Sequence, residues 1–381
     1  MTNRSALAQP AGLENNPVRG RAGYWPYLAT LFVIWLAVYV PALATPALLD
    51  DADTVHAEAA REMLLRHDWV TLYANGIRYL EKAPLLYWMV ATDYKMFGIS
   101  EWSTRLPLSL AVLALTLCLF WLGKRVYGLA GGFLSALVLL TSFGPFIFTR
   151  FLIPDILVGL WLTLGMIFFL ESLDEERPSR RSCWGFAASA ALNVLTKGLI
   201  GLVFPCAIIF LYLLLTRNLR RLLRLRLISS TVVFLGIATP WHVLAAMRNP
   251  GAGEAKGGWL WFYFVNEHFK RYLGTRYPHD YDTVPFLVFW GLLLVWLLPW
   301  CGYLFAGLRD VPLKLAAIRN VDSVRSANLL FAIWAAVILI FFSFSTRQEY
   351  YTLPALPALS LLTGGWLARE ASAAGLVRNA N

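Results

Sequence analysis

The chain has 381 residues, 58% of them hydrophobic and only 15% charged, with a formal charge of +10. Apolar runs of about 17 to 25 residues, the length that crosses a bilayer core, recur from end to end. Soluble domains are excluded, because they need polar helical faces between their breakers and most of these runs are apolar all round.

The pattern predicts an all-α polytopic membrane protein with ten spans, at about 24–44, 102–122, 128–148, 153–171, 183–197, 199–216, 228–247, 284–306, 327–345 and 351–368. Residues 1–23 read as a polar, disordered cytoplasmic tail, 24–368 as the membrane domain and 369–381 as a second short tail. With the N-terminus inside, 19 of the 33 basic residues but only 8 of the 23 acidic ones fall on the inner side. The positive-inside rule therefore sets the orientation and accounts for the net charge without a nucleic-acid partner. Cys118, Cys183, Cys206 and Cys301 all lie in apolar segments at no metal-ligand spacing and read as buried thiols.

After the first span the chain runs into "LLDDADTVHAEAAREML", the first part of a long outer loop at about 45–101. Ala57, Ala60, Met63 and Leu64 recur at helical spacing among charged residues, predicting an interfacial helix from Thr54 with Asp53 as one possible cap. "PLLYWMVATDYKMF" predicts a second interfacial helix, opened by Pro84. A further outer loop at about 248–283 carries "GGWLWFYFVNEHFKRYLG", mixing aromatic and charged residues as headgroup-level segments do.

Ionisable residues are nearly absent from the spans and gather at their outer mouths, which points to a site at the outer interface. The candidates in chain order are Asp50, Asp51 and Asp53; Arg78, Glu81 and Lys82 in "RYLEKAP"; Asp155 in "RFLIPDIL"; Lys197 in "LTKG"; His268 and Arg271 in "NEHFKRY"; and Arg347, Tyr350 and Tyr351 in "RQEYYTLPALP". Each also has a structural reading. Asp155 suits the first turn of a helix, Lys197 followed by Gly198 suits a helix C-terminus, and Glu81 beside Lys82 suits a surface pair. No GxGxxG or Walker loop is present, so no nucleotide cofactor is expected, and no GxSxG or His-Glu-x-x-His pattern marks a hydrolase.

The order of "LLDDADTVHAEAAREML", "DWVTLYANGIRYLEKAPLLYWM", "RFLIPDILVG", "LNVLTKGLIGLVFP", "NEHFKRYLG" and "RQEYYTLPALPALSLL" resembles the bacterial branch of the protein O-mannosyltransferase and aminoarabinose lipid A transferase superfamily, over about Tyr24 to Leu367. The resemblance implies a GT-C fold and transfer of a sugar from a polyprenyl phosphate carrier to lipid A, protein or glycan on the outer face of the inner membrane. It implies Asp51 or Asp53 as general base, Asp155 as a second carboxylate, and Lys82, Arg271, Arg347, Tyr350 and Tyr351 around the donor phosphate, with Arg78 and Lys197 in support. It also leaves room for a divalent ion (Mg, Mn or Zn) on Glu81 and His268. The chain departs from the family in its DDAD run, in "EKAP" with Ala83 for the first proline, and in its length, which is expected to omit the family's soluble outer domain.

Two rival readings make different predictions. A secondary transporter or flippase requires broken or ionisable helices at the bilayer midplane and an inverted repeat, and the sequence displays neither. An inactive carrier-binding relative would retain donor without transferring it.

Overall fold

The computed structural model describes residues 23–48, 51–174, 178–251, 257–279, 282–313 and 322–375. Helix α1 (Trp25–Tyr39) has Pro26 near its start and runs through Val40 into a 3₁₀ turn at Pro41–Leu43. Its polar side-chain tips find partners on the next helices: the Trp35 indole donates to the Ser109 carbonyl at 2.9 Å and the Tyr39 hydroxyl to the Leu140 carbonyl at 3.1 Å.

The first outer loop holds α2 (Asp51–Leu65), a hairpin of β1 (Tyr73–Ala74) and β2 (Ile77–Arg78), and α3 (Leu85–Phe97). Asn75 and Gly76 both take positive φ, the conformation a two-residue hairpin turn demands. Pro84 caps α3 as expected, whereas α2 begins at Asp51, so Asp53 lies inside its first turn and does not cap it.

Helix α4 (Glu101–Leu140) reverses direction at Gly128, where φ is +81°. A Cβ on Gly132 would lie 2.4 Å from the Phe120 carbonyl oxygen. In a straight helix residues that far apart in sequence stand about 18 Å apart, so α4 is a hairpin of two arms. The arms correspond to the second and third predicted spans, the latter completed by α5 (Phe143–Arg150). There follow α6 (Asp155–Asp174), α7 (Arg180–Lys197), α8 (Ile200–Leu215) and α9 (Leu227–Arg248).

The second outer loop contains α10 (Gly258–Leu260), which runs into a π-helix at Trp261–Lys270. Helices α11 (Phe286–Trp296) and α12 (Cys301–Leu308) meet at a 99° bend. The chain closes with α13 (Ser323–Ser343), a 3₁₀ helix at Glu349–Ala355 and α14 (Leu356–Ala373).

Among the described residues five helices, α1 with its 3₁₀ extension, α4, α6, α9 and α13, are long and apolar enough to cross a bilayer, and the bent pair α11–α12 would make a sixth. Helix α8 is apolar but only 16 residues long, and α7 carries buried Ser182, Ser189, Asn193 and Thr196. Interior helices of a bundle face protein more than lipid, so their sequences tolerate small polar residues.

The two broken helices satisfy each other. The Phe143 amide donates to the Leu298 carbonyl at 3.0 Å and the Trp300 indole to the Thr141 hydroxyl at 2.8 Å, which is how a backbone break is tolerated at membrane depth.

The ionisable residues divide between two ends of the bundle. At one end Arg125 pairs with Asp174, Arg369 pairs with Asp310, and Arg221 and Arg226 donate to the Leu173 and Pro178 carbonyls. The other end carries both outer loops, docked by the Arg248–Asp68 ion pair at 2.7 Å and by the Trp241 indole donating to the Val70 carbonyl at 3.0 Å.

Candidate functional site

The loop-bearing end brings residues from seven segments together. Asp155 opens α6 with its side chain fully buried, and its carboxylate is paired with Lys197 at the C-terminus of α7. The Lys197 ammonium also lies 5.0 Å from the centre of the Tyr350 ring and 4.6 Å from that of Tyr351, so two aromatic faces compensate a cation withdrawn from water. The structural reading of Gly198 holds as well. It caps α7 with φ +72°, and a Cβ there would fall 2.0 Å from His268 Nε2. Gly198→Ala is therefore expected to lower the melting temperature by several degrees and to disturb Lys197, read by thermal unfolding in detergent. An unchanged melting temperature would contradict this close packing.

The "EKAP" turn lies against the π-helix. Glu81 forms an ion pair with Arg276 at 2.8 Å, and Arg276, only 5% exposed, also reaches Glu267 at 2.5 Å. Glu267 in turn accepts from Arg271 at 3.2 Å. Lys82 is 3.4 Å from Glu81 and keeps 28% of its side chain exposed. Burial of the rest, followed by the repulsion of Arg271, holds Lys82 below the usual lysine range, opposed by Glu81 and Glu267. Lys82 and Arg271 also stand within electrostatic reach of Asp155. The Thr346 hydroxyl donates to the Arg271 carbonyl at 2.6 Å, tying the π-helix to the turn that carries Tyr350 and Tyr351.

On the first loop, Asp53 is 2% exposed and lies 3.8 Å from the guanidinium of Arg105, which is itself 1% exposed. Arg105 donates to the carbonyls of Leu43, Pro46 and Arg150, so one buried cation closes the loop onto α4 and α5. His56, one turn further along α2, is pushed down to about 3, first by burial and then by Lys82, and so is neutral at physiological pH. The side chains of Asp50 and Asp51 lie outside the described residues, although the backbone of Asp51 forms the first residue of α2.

Three expectations from sequence require correction. His268 and Glu81 do not offer a metal ligand set: His268 Nδ1 contacts the Tyr263 carbonyl at 2.6 Å, its Nε2 accepts from the Leu199 amide at 3.0 Å, and Glu81 is held by Arg276. Both ring nitrogens are thus committed to backbone, and among the described residues no group of three or more His, Cys, Asp or Glu is placed to hold a metal ion. Arg347 turns to the backbone, donating to the Val284 carbonyl at 2.7 Å and the Ser343 carbonyl at 3.0 Å. Arg78 reaches Asn249 at 3.4 Å on the exposed hairpin, braces the junction of the two outer loops and takes no part in the cluster.

Reading the sequence missed Arg105, Glu267 and Arg276. Arg105 had a usable signal, since it is a lone cation within the apolar run "WSTRLPLSL". Arg276 had none from Glu81, which is nearly two hundred residues away, whereas Glu267 has Arg271 four residues on in the same helical segment.

Helices that enclose an ionic cluster at one end of a membrane bundle, roofed by two structured loops, define a polytopic protein of the GT-C class. The solved ArnT of Cupriavidus metallidurans, bound to undecaprenyl phosphate, superposes with a TM-score of 0.76 at 28% identity, covering 90% of this chain and 60% of that one. The oligosaccharyltransferase of Archaeoglobus fulgidus shares the fold, with a TM-score of 0.60 at 14% identity over 90% of this chain and 50% of that one.

The chain is similar to the ArnT-like members of the superfamily that includes the protein O-mannosyltransferases. Residues 81–243 match the family described as dolichyl-phosphate-mannose-protein mannosyltransferase. The undecaprenyl phosphate-alpha-4-amino-4-deoxy-L-arabinose arabinosyl transferase of Edwardsiella ictaluri is 28% identical over 351 residues, covering 91% of this chain and 59% of that protein. Its counterpart in Pseudomonas aeruginosa is 28% identical over 340 residues, 88% of this chain and 58% of that one. The chain thus spans about three fifths of the length of these relatives.

Proposed function

We propose that the protein is a membrane glycosyltransferase that moves a sugar from a polyprenyl phosphate carrier, undecaprenyl phosphate in the first instance, to a hydroxyl of lipid A, a protein or a glycan. The observation that carries this reading is the gathering of Lys82, Arg271, the Lys197–Asp155 pair and the Tyr350–Tyr351 turn beside the Asp53–Arg105 loop, at one end of an ArnT-like bundle. A lipid-linked phosphate needs such a half-dry cationic seat at the membrane surface, because cations there stabilise the charge that develops on it as it leaves.

In the reaction the acceptor oxygen forms a bond to C1 of the sugar and the bond from C1 to the phosphate oxygen breaks. The acceptor proton passes to a carboxylate, and the carrier departs as its phosphate. Lys82 and Arg271 hold that phosphate, Arg271 as a directional donor and Lys82 as a compact charge, with the Tyr350 hydroxyl as a further donor. Asp53 is committed to Arg105, and a carboxylate paired with a guanidinium is a weak base. The base is therefore assigned to Asp51, one helical residue into the loop. Asp155, steadied by Lys197, orients the acceptor.

The reading places the N-terminus in the cytoplasm and the cluster on the outer face of the inner membrane. On a background without native cysteines, Ile77→Cys on the exposed hairpin is expected to react with a membrane-impermeant thiol reagent in intact cells, and Asn218→Cys between α8 and α9 only after permeabilisation. Labelling of the Asn218 site in intact cells would reverse the topology and put the cluster on the wrong side. Which acceptor is used is tested by comparing glycolipids and glycoproteins of deletion and parent strains by mass spectrometry.

A further inference from the structure

At the end of the bundle opposite the ionic cluster, the connection between α8 and α9 carries five arginines between Arg217 and Arg226 with no acidic residue among them. It forms a 3₁₀ helix at Leu219–Arg224, and the chain turns on either side of it through left-handed residues, Arg217 at φ +57° and Arg226 at φ +49°. Such backbone is strained for a residue with a side chain and persists only where the surroundings hold it. Here the Asn218 amide donates to the Leu213 carbonyl at 2.8 Å, the Arg221 guanidinium to the Leu173 carbonyl at 2.5 Å, and Arg226 Nε to the Pro178 carbonyl at 2.9 Å. The segment is thus a fixed platform fastened to the turn between α6 and α7.

Arg221 and Arg226 fasten the platform, which leaves Arg217, Arg220 and Arg224 exposed, and none of these three forms an ion pair among the described residues. Asp174, the described carboxylate on the adjoining turn, is taken by Arg125. Interleaved with the arginines, Leu223 is 79% exposed, Leu227 49% and Ile228 86%.

Large apolar side chains projecting beside guanidiniums without an ion pair among the described residues, where two membrane helices begin and end, suit neither a water-facing loop nor a soluble polyanion, which would leave the leucines wet. They suit the headgroup layer, where the aliphatic groups enter the acyl boundary and the guanidiniums meet phosphodiesters. We propose that residues 217–228 form a binding site for anionic phospholipid, with Arg217, Arg220 and Arg224 on the headgroup phosphate and Leu223 and Ile228 among the acyl chains. This site is independent of the transferase reading.

The test is retention of phosphatidylglycerol by the full chain in nanodiscs of phosphatidylcholine with increasing phosphatidylglycerol, counted by native mass spectrometry. The parent is expected to retain phosphatidylglycerol selectively. R220Q/R224Q is expected to weaken retention roughly thirtyfold, and R220K/R224K to restore most of it. L223S, which keeps every arginine, is expected to weaken retention as well, and millimolar glycerol 1-phosphate not to compete. Equal retention by the parent and R220Q/R224Q would overturn the proposal. So would competition by the soluble phosphate, or tight binding of an oligonucleotide unaffected by L223S.

Discussion

Asp51→Asn is expected to lower the turnover number for sugar transfer by about 10²- to 10⁴-fold while donor binding stays near that of the parent, the signature of a lost general base. The substitution keeps the shape of the side chain and removes only its ability to take the acceptor proton. Asp53→Asn should behave differently. It withdraws the carboxylate facing Arg105, a guanidinium 1% exposed whose hydrogen bonds among the described residues go to backbone carbonyls. Breaking a buried pair by removing one partner leaves an uncompensated charge and costs on the order of 3 kcal/mol, so its main effect should be a lower melting temperature and yield. Turnover and melting temperature measured side by side separate the two aspartates. A fully active Asp51→Asn would move the base to Asp53 if that variant alone is inactive with a normal melting temperature, and to Asp155 if both first-loop variants remain active.

Lys82→Ala and Arg271→Ala are each expected to weaken binding of the polyprenyl-phosphate donor by about tenfold to a hundredfold, the loss of one charge-assisted hydrogen bond to phosphate. Both side chains flank Glu81 and Glu267 and act on Asp155, so they share one neighbourhood, and the double variant should lose less than the sum of the singles. Arg347→Ala should instead act through stability, because its guanidinium is committed to the Val284 and Ser343 carbonyls. The proposed phosphate seat also implies a pH dependence. Lys82 is held below the usual lysine range in the free protein, and a bound phosphate favours the ammonium and raises it. Donor binding then takes up a proton wherever the pH lies between the two values, so affinity falls as pH rises through that window. Lys82→Ala should flatten this limb. Donor affinity unchanged in both single variants would show that the leaving group sits elsewhere.

Much of this arrangement was legible in the sequence wherever the signal was local. Pro84 before an amphipathic run marked the start of α3, Gly198 after Lys197 marked the end of α7, and the clustering of ionisable residues at span mouths pointed to the end where the ionic cluster lies. What the sequence concealed depends on partners far apart along the chain. His268 looks like a ligand until its two nitrogens are seen committed to the Tyr263 carbonyl and the Leu199 amide, and Arg347 looks like a phosphate donor until its carbonyl partners are known. The π-helix at Trp261–Lys270 was equally hidden, since its register differs from an α-helix by one residue per hydrogen bond and leaves no periodicity distinct enough to read in ten residues. Hydropathy also overstated how many helices are individually built to span, because α7 and α8 are shorter or more polar than a lone span requires.

The central claim is tested most directly by giving the purified chain a polyprenyl-phosphate sugar labelled in the sugar, together with membrane lipids as acceptors, and following both products. The account predicts that label moves to an acceptor while carrier phosphate appears in equal amount, and that Asp51→Asn stops both without releasing bound donor. Donor that binds but yields neither product across lipid A, protein and glycan acceptors would contradict the transferase reading and leave a carrier-binding protein in its place.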